Sequence, residues 1–97
     1  MKSYFLYILY SRKIDRFYVG ISFNPEARLH YHNNSNKGWT RRGRPWELIF
    51  AKKFPSKEIA HKWELWIKRQ KSRQIIESII NKTFDWNMRF WVRLNDK

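Results

Sequence analysis

The chain has 97 residues, 42% hydrophobic and 19% aromatic with six Trp, which is enough apolar mass for one compact domain and too little length for two cores. Its 21 Lys and Arg against 8 Asp and Glu give a formal charge of +13, a field that gathers polyanions and favours nucleic acid over a membrane surface or an acidic protein. Cysteine is absent, which excludes disulfides, thiolate chemistry and cysteine-ligated zinc.

The charge is uneven: positions 37–73 hold twelve basic and three acidic residues, so the middle of the chain is the expected phosphate-contacting region. The opening MKSYFLYILYSRK has a short, tyrosine-loaded apolar run without a small-residue cleavage site, so it reads as structure rather than as a signal peptide. No stretch approaches transmembrane length, and a cytoplasmic, reducing setting is the expectation.

Positions 4–10, YFLYILY, are aromatic and branched and predict a first strand. Arg12 to Arg16 connect it to a second strand at about 17–21, forming an antiparallel hairpin. Tyr7 and Leu9 share one face of the first strand, and Tyr18 and Gly20 share one face of the second. With Leu9 opposite Tyr18, the phenols of Tyr7 and Tyr18 come within diagonal reach on one sheet face. Asn24-Pro25-Glu26 is a strong helix start: a side-chain cap, a proline preset for the first turn, and a carboxylate at the positive helix end. This helix ends near Asn33-Asn34, and Ser35 to Pro45 read as a polar, glycine-containing loop.

WELIFAKKF at 46–54 predicts a third strand, with Trp46, Leu48 and Phe50 on one face and Ile49 and Ala51 on the other. Pro55 stops it, and Ser56 caps a helix over 57–69 whose apolar side is Ile59, Ala60, Trp63, Trp66 and Ile67. After a break at Lys71-Ser72 a further helix buries Ile75, Ile76, Ile79 and Ile80. The economical architecture is α+β, a small three-stranded antiparallel sheet flanked by helices. The aromatic tail from Phe84 packs back on the domain or, through Phe90, Trp91 and Val92, forms a contact surface for a protein partner.

Five side chains on this frame are chemically suggestive. Arg28 and His32 are four apart on one helix face, Tyr7 and Tyr18 project from one sheet face, and Glu64 sits at the rim of an apolar helix face. Phosphodiester hydrolysis needs a route for a water proton, a clamp for anionic oxygens and a divalent ion, and these residue types supply such parts. Each also has an ordinary role: sheet aromatics, a surface cation, a hydrogen-bonded helix histidine, and a helix glutamate paired with Lys68. His30 and His32 do not share a helix face and His61 is remote, so zinc is not expected. Gly20 marks a place where another group approaches the strand closely. In TRRGRPWE, Arg41, Arg42 and Arg44 are placed to contact phosphates, Gly43 gives the loop freedom, and Trp39 or Trp46 offers a stacking ring, Trp46 being the better core candidate. Lys37, Thr40 and Lys68 complete the candidate nucleic-acid contacts.

Together these residues resemble the GIY-YIG endonuclease superfamily, and within it the small single-domain bacterial members related to the nuclease module of the excision-repair protein UvrC. The first motif falls on Phe5-Leu6-Tyr7, with phenylalanine and leucine in place of glycine and isoleucine, and the second on Tyr18-Val19-Gly20. The family arginine and histidine match Arg28 and His32 in NPEARLHYH, the loop GWTRRGRPWELI spans Gly38 to Ile49, and the metal-binding glutamate matches Glu64 in AHKWELWIK. The resemblance implies a nuclease domain over 1–83 with an extension over 84–97, one Mg2+ or Mn2+ on Glu64, and DNA rather than RNA as partner. It implies that Tyr18 accepts the proton of the attacking water, Tyr7 orients Tyr18 or contacts the phosphate, Arg28 binds the scissile phosphate, and His32 orients Tyr18 or shuttles a proton. The chain departs from some repair members at Ile21 and Ser22, where they carry a lysine. The alternative on the same basic face is a noncatalytic DNA- or RNA-binding module.

Overall fold

The computed structural model describes residues 3–35 and 38–87. Strands β1 (Tyr4–Ser11), β2 (Arg16–Ser22) and β3 (Trp46–Phe54) form one antiparallel sheet in the order β2-β1-β3, so the first strand is central and β2 is an edge. The hairpin register pairs Leu9 with Tyr18 and Tyr7 with Gly20, which is the alignment assumed for the two phenols to meet.

Helices α1 (Pro25–Asn34), α2 (Lys57–Gln70) and α3 (Arg73–Ile80) begin where side chains satisfy free amides. The Asn24 carboxamide oxygen accepts from the Ala27 amide at 3.2 Å, the Ser56 hydroxyl from Ile59 at 3.3 Å and the Ser72 hydroxyl from Ile75 at 3.2 Å. Between α2 and α3 the chain turns through Lys71 in the left-handed region, at φ 48°.

Two packed clusters lie on opposite faces of the sheet. On one face Leu6, Ile8 and Val19 meet Ala60, Trp63 and Ile67 of α2 and Ile79 of α3. Full burial of an Ile or Leu side chain there contributes roughly 1.5–3 kcal/mol. Phe84 and Trp86 close this core: Trp86 stacks on Phe50 with centroids 6.3 Å apart and meets Trp63 edge-on at 5.0 Å. The aromatic tail therefore packs back as far as residue 87, whereas Phe90, Trp91 and Val92 lie outside the described residues. On the other face Tyr7, Leu9 and Trp46 are covered by Leu29 of α1.

The alternation expected in β3 is corrected by a bulge. Ile8 pairs with Phe50 and Leu9 with Leu48, which leaves Ile49 as an extra residue. Trp46 and Leu48 consequently pack with Tyr7 and Leu9, while Phe50 turns to the α2 face. A period-two pattern cannot reveal an inserted residue, and the three-way alternation fails there. The segment expected as loop also contains a 3-10 turn, Trp39–Gly43, held by the Trp46 indole N–H donating to the Thr40 carbonyl at 2.6 Å. Gly43 serves close packing rather than loop freedom: a Cβ there would sit 2.6 Å from the Trp46 ring and 2.9 Å from the Ser11 hydroxyl.

Helix α1 has little apolar face of its own, and a polar clamp fixes it instead. Asn33 accepts from the Trp46 amide at 2.6 Å and donates to the Trp46 carbonyl at 3.0 Å, tying the helix end to the start of β3. This clamp sets the direction in which Arg28 and His32 point.

Candidate active site

The site is built around one missing side chain. Tyr7 leaves the central strand beside Gly20 of β2, and a Cβ at position 20 would lie 2.7 Å from the Tyr7 hydroxyl and 2.8 Å from its Cζ. Glycine therefore lets the phenol cross the edge strand, where any other residue would block it. Tyr18, diagonal to Tyr7, places its ring centroid 6.2 Å away at an interplanar angle of 29°.

Helix α1 supplies the next two groups. The Arg28 guanidinium donates to the Tyr7 hydroxyl and lies over the Tyr31 ring, 4.6 Å from its centroid. His32, one turn on, is 3% exposed, with its ring centroid 4.5 Å from that of Tyr18 and its Nδ1 3.3 Å from the Thr40 hydroxyl. Its Nε2 is buried and, among the described residues, without a hydrogen-bond partner. Burial, and then the charge of Arg28, lowers the His32 pKa, so the imidazole is neutral at neutral pH. Tyr7 moves the opposite way: burial pushes it up to about 12, against the Arg28 hydrogen bond, with the charges of Tyr18 and Glu64 adding to the rise. Tyr7 is a protonated phenol throughout the neutral range.

Glu64 approaches from the opposite layer. Its side chain, 14% exposed, holds Lys68 Nζ at 2.8 Å on one oxygen and His61 Nδ1 at 3.1 Å on the other. Lys68 Nζ also lies 5.8 Å from the Tyr18 ring centroid, so it bridges the carboxylate to the phenol past the edge strand. The expected Glu64–Lys68 helix pair and the expected rim carboxylate are thus the same arrangement. His61, set aside on sequence as remote from the other histidines, is the group reasoning missed; its i, i+3 spacing to Glu64 was the available signal.

The remaining predicted contacts divide. Arg41 and Arg42 are exposed on the 3-10 turn. Arg44 is half-buried, donating from Nε to the Arg41 carbonyl at 3.3 Å and from Nη1 to the Asn33 carbonyl at 3.4 Å. Thr40 is buried with its hydroxyl turned to His32, so its role here is to hold the imidazole rather than to face a ligand. Lys37 lies outside the described residues.

The donor set bears on the metal. Among the described residues no group of three His, Cys, Asp or Glu side chains is gathered as a cation site. Glu64 is the carboxylate at this site, with its two oxygens on Lys68 and His61. A single hard carboxylate is the kind of ligand that Mg2+ or Mn2+ takes, ions that keep several waters and share their coordination with substrate phosphate.

The fold is a small α+β domain whose three-stranded sheet carries tyrosine, arginine and histidine at one edge, with Glu64 reaching that edge through Lys68. The sequence matches the GIY-YIG catalytic domain over residues 3–77, and the chain belongs to that family. It is 35% identical over 83 residues to the structure-specific endonuclease subunit SLX1 of Phaeosphaeria nodorum, covering 78% of this chain and 23% of that protein. It is 39% identical over 67 residues to the structure-specific endonuclease subunit slx1 of Pyrenophora tritici-repentis, covering 63% and 18% respectively. The chain therefore spans about a fifth of the length of these curated relatives. Among solved structures, the solution structure of the UPF0213 protein BH0048 of Bacillus halodurans superposes with a TM-score of 0.52 at 29% identity, covering 81% of this chain and 83% of that one. These matches carry the family and do not select its excision-repair branch. Among the described residues no helix is long and apolar enough to cross a membrane.

Proposed function

We propose that this chain is a divalent-metal-dependent endonuclease that hydrolyses DNA phosphodiester bonds, directed by branched, damaged or single-stranded structure rather than by a long base sequence. The observation that carries the reading is the packing of Tyr7, Tyr18, Arg28 and His32 around one point, with Glu64 close enough to act on Tyr7. Four elements far apart in sequence contribute to it, and the basic loop lies alongside.

In this reading Arg28 binds the scissile phosphate and stabilises the charge that grows on its oxygens. Water attacks phosphorus, forming a new P–O bond as the bond to the leaving oxygen breaks; the water proton passes to Tyr18 in its phenolate form, giving the neutral phenol, and the leaving oxygen departs with its electron pair and takes a proton from solvent. Tyr7, which keeps its proton, accepts from Arg28 at its oxygen and uses its own hydroxyl hydrogen to contact the phosphate or orient Tyr18. Neutral His32, held through Thr40, packs against Tyr18 and fixes the phenol's position. Mg2+ or Mn2+, held by Glu64 when bound, supplies charge neutralisation at the leaving oxygen. The two fungal relatives are structure-specific endonuclease subunits, which supports a cut directed by structure, while positive charge by itself serves either a DNA or an RNA backbone.

The test incubates pure protein with duplex, single-stranded, flap and branched DNA and with RNA, in Mg2+, Mn2+ and chelator, beside folded Tyr18→Phe and Glu64→Gln variants. Cutting that requires metal and falls about 10²–10³-fold in each variant is the expected result. Undiminished metal-dependent cutting by both variants would reject the assigned roles. Tight binding with no cutting on any substrate would leave the noncatalytic binding module.

A further inference from the structure

Beside the catalytic cluster, on the far side of Tyr18, lies an open cavity of about 420 Å³ bounded by Trp39, β2 and the α2–α3 junction. Its inner surface is apolar, from Val19 and Ile67, which are 5% and 2% exposed. One wall is the Trp39 indole, itself 50% exposed. That ring is not loose: Trp46 meets it edge-on at 5.8 Å, and Tyr18 lies 6.2 Å away. An aromatic plane half in water beside an apolar floor is unexplained by the packing of this chain alone.

The rim is cationic. Arg16, Lys68 and Lys71 line the cavity, and its one carboxylate, Asp15, is paired with Arg73 at 2.7 Å and accepts from the Tyr10 hydroxyl at 2.7 Å. On its other side Trp39 borders a smaller groove with Ile14, Arg16 and Arg42. The combination is an aromatic platform, an apolar floor and flanking cations, which matches a nucleobase with its phosphates on either side. A paired base has both faces covered and its edge engaged, so only an unpaired one enters.

We infer that this cavity receives an unpaired DNA base next to the scissile phosphate, stacked on Trp39, with the neighbouring phosphates on Arg16, Lys68 and Lys71. Lys68 joins the two regions, since it lines the cavity, holds Glu64 and lies over the Tyr18 ring. The inference rests on the nuclease reading for what the cavity adjoins. It adds the feature that selects a substrate: a flap, bulge or single strand supplies such a base and intact duplex does not.

The experiment reads binding, not cutting. DNA carrying 2-aminopurine either unpaired in a one-nucleotide bulge or paired in duplex is titrated with the full chain in chelator, following fluorescence and affinity. Stacking on Trp39 quenches the unpaired probe and gives about tenfold tighter binding than to the paired probe. Trp39→Ala, checked for fold by circular dichroism, loses both the quenching and the preference, Trp39→Phe restores much of each, and Lys71→Gln weakens binding of the bulge with the quenching kept. Equal quenching of paired and unpaired probes, or quenching and preference intact in Trp39→Ala, would overturn the inference, as would failure to bind the bulge at all. Quenching and preference that behave as expected in a protein that never cuts with Mg2+ would remove the nuclease reading and leave the base-binding cavity standing.

Discussion

Gly20→Ala isolates the geometric premise of the site, because it adds one methyl group and removes no functional side chain. Gly20 lies within β2, paired with Tyr7 across the hairpin. Outside the left-handed region alanine meets no backbone penalty, and the loss of unfolded-state freedom stabilises by about 0.4–1 kcal/mol. Against this, the added carbon begins 2.7 Å from the Tyr7 hydroxyl, 2.8 Å from its Cζ and 3.1 Å from Tyr18 Cε1, whereas ordinary contact starts at 3.4 Å. Tyr7 is 1% exposed and its ring is rigid, so the phenol cannot retreat without moving neighbours. Overpacking of this kind costs about 1–3 kcal/mol, leaving a net loss of about 1–2 kcal/mol. The displacement matters more for rate than for stability. A shift of the phenol by roughly 0.7 Å carries the Arg28 hydrogen bond with it, and misplacement of about 1 Å costs on the order of 10²-fold in turnover. Urea denaturation and single-turnover cleavage measure the two effects separately. Pairing Gly20→Ala with Tyr7→Leu, which vacates the contested space, makes the stability losses less than additive. A Gly20→Ala protein with wild-type stability and wild-type cleavage would refute the claim that the glycine exists to let the phenol across the strand.

Three further outcomes follow from the same geometry. Absorbance titration of tyrosinate should show one phenol ionising near pH 12 that is missing in Tyr7→Phe; since its folded pKa exceeds the ordinary value of 10.0, the stability it contributes is full below pH 10 and is lost as pH rises toward 12. His32 is lowered from 6.5, so the folded state prefers the neutral ring and stability declines as pH falls below about 6.5 toward the lower folded value; His32→Gln should flatten that part of a chemical-denaturation pH profile. Substituting Arg41 or Arg42 by Ala should weaken DNA binding without sequence dependence and reduce the slope of log affinity against log salt by about 1 each, whereas Thr40→Val, at a buried position, should leave that slope unchanged.

The hairpin was legible because Tyr7, Leu9, Tyr18 and Gly20 alternate cleanly; its register, with Leu9 opposite Tyr18, was an assumption that the family resemblance supported and the strand pairing bears out. The helix starts were legible because Asn24, Ser56 and Ser72 carry the caps that the structure uses. The bulge at Ile49 was not, since an inserted residue is set by pairing with β1 and leaves no mark in β3 alone. The Asn33–Trp46 clamp was equally hidden: both partners are ordinary residues 13 positions apart, and only the tertiary fold brings them together. The same limit explains Thr40, whose place in TRRGRPWE suggests an exposed contact until the Trp46 indole turns that segment inward. Motif residues on regular elements could be placed by periodicity, while residues on the connecting segment depended on which buried group captured the backbone.

Two phenols in one cluster raise the question of which can take a proton, and their surroundings separate them. Tyr7 is buried beneath the strand it crosses, donor-bound by Arg28, and pushed up to about 12, which makes it the wrong group to give up its proton in any neutral-pH step. Tyr18 belongs to the edge strand, is not fully buried, and has His32 on one side and the Lys68 ammonium over its ring. His32 is held neutral in the same arrangement, because burial and then the charge of Arg28 disfavour a protonated imidazole. Environment, rather than residue type, divides donor from acceptor among otherwise identical side chains.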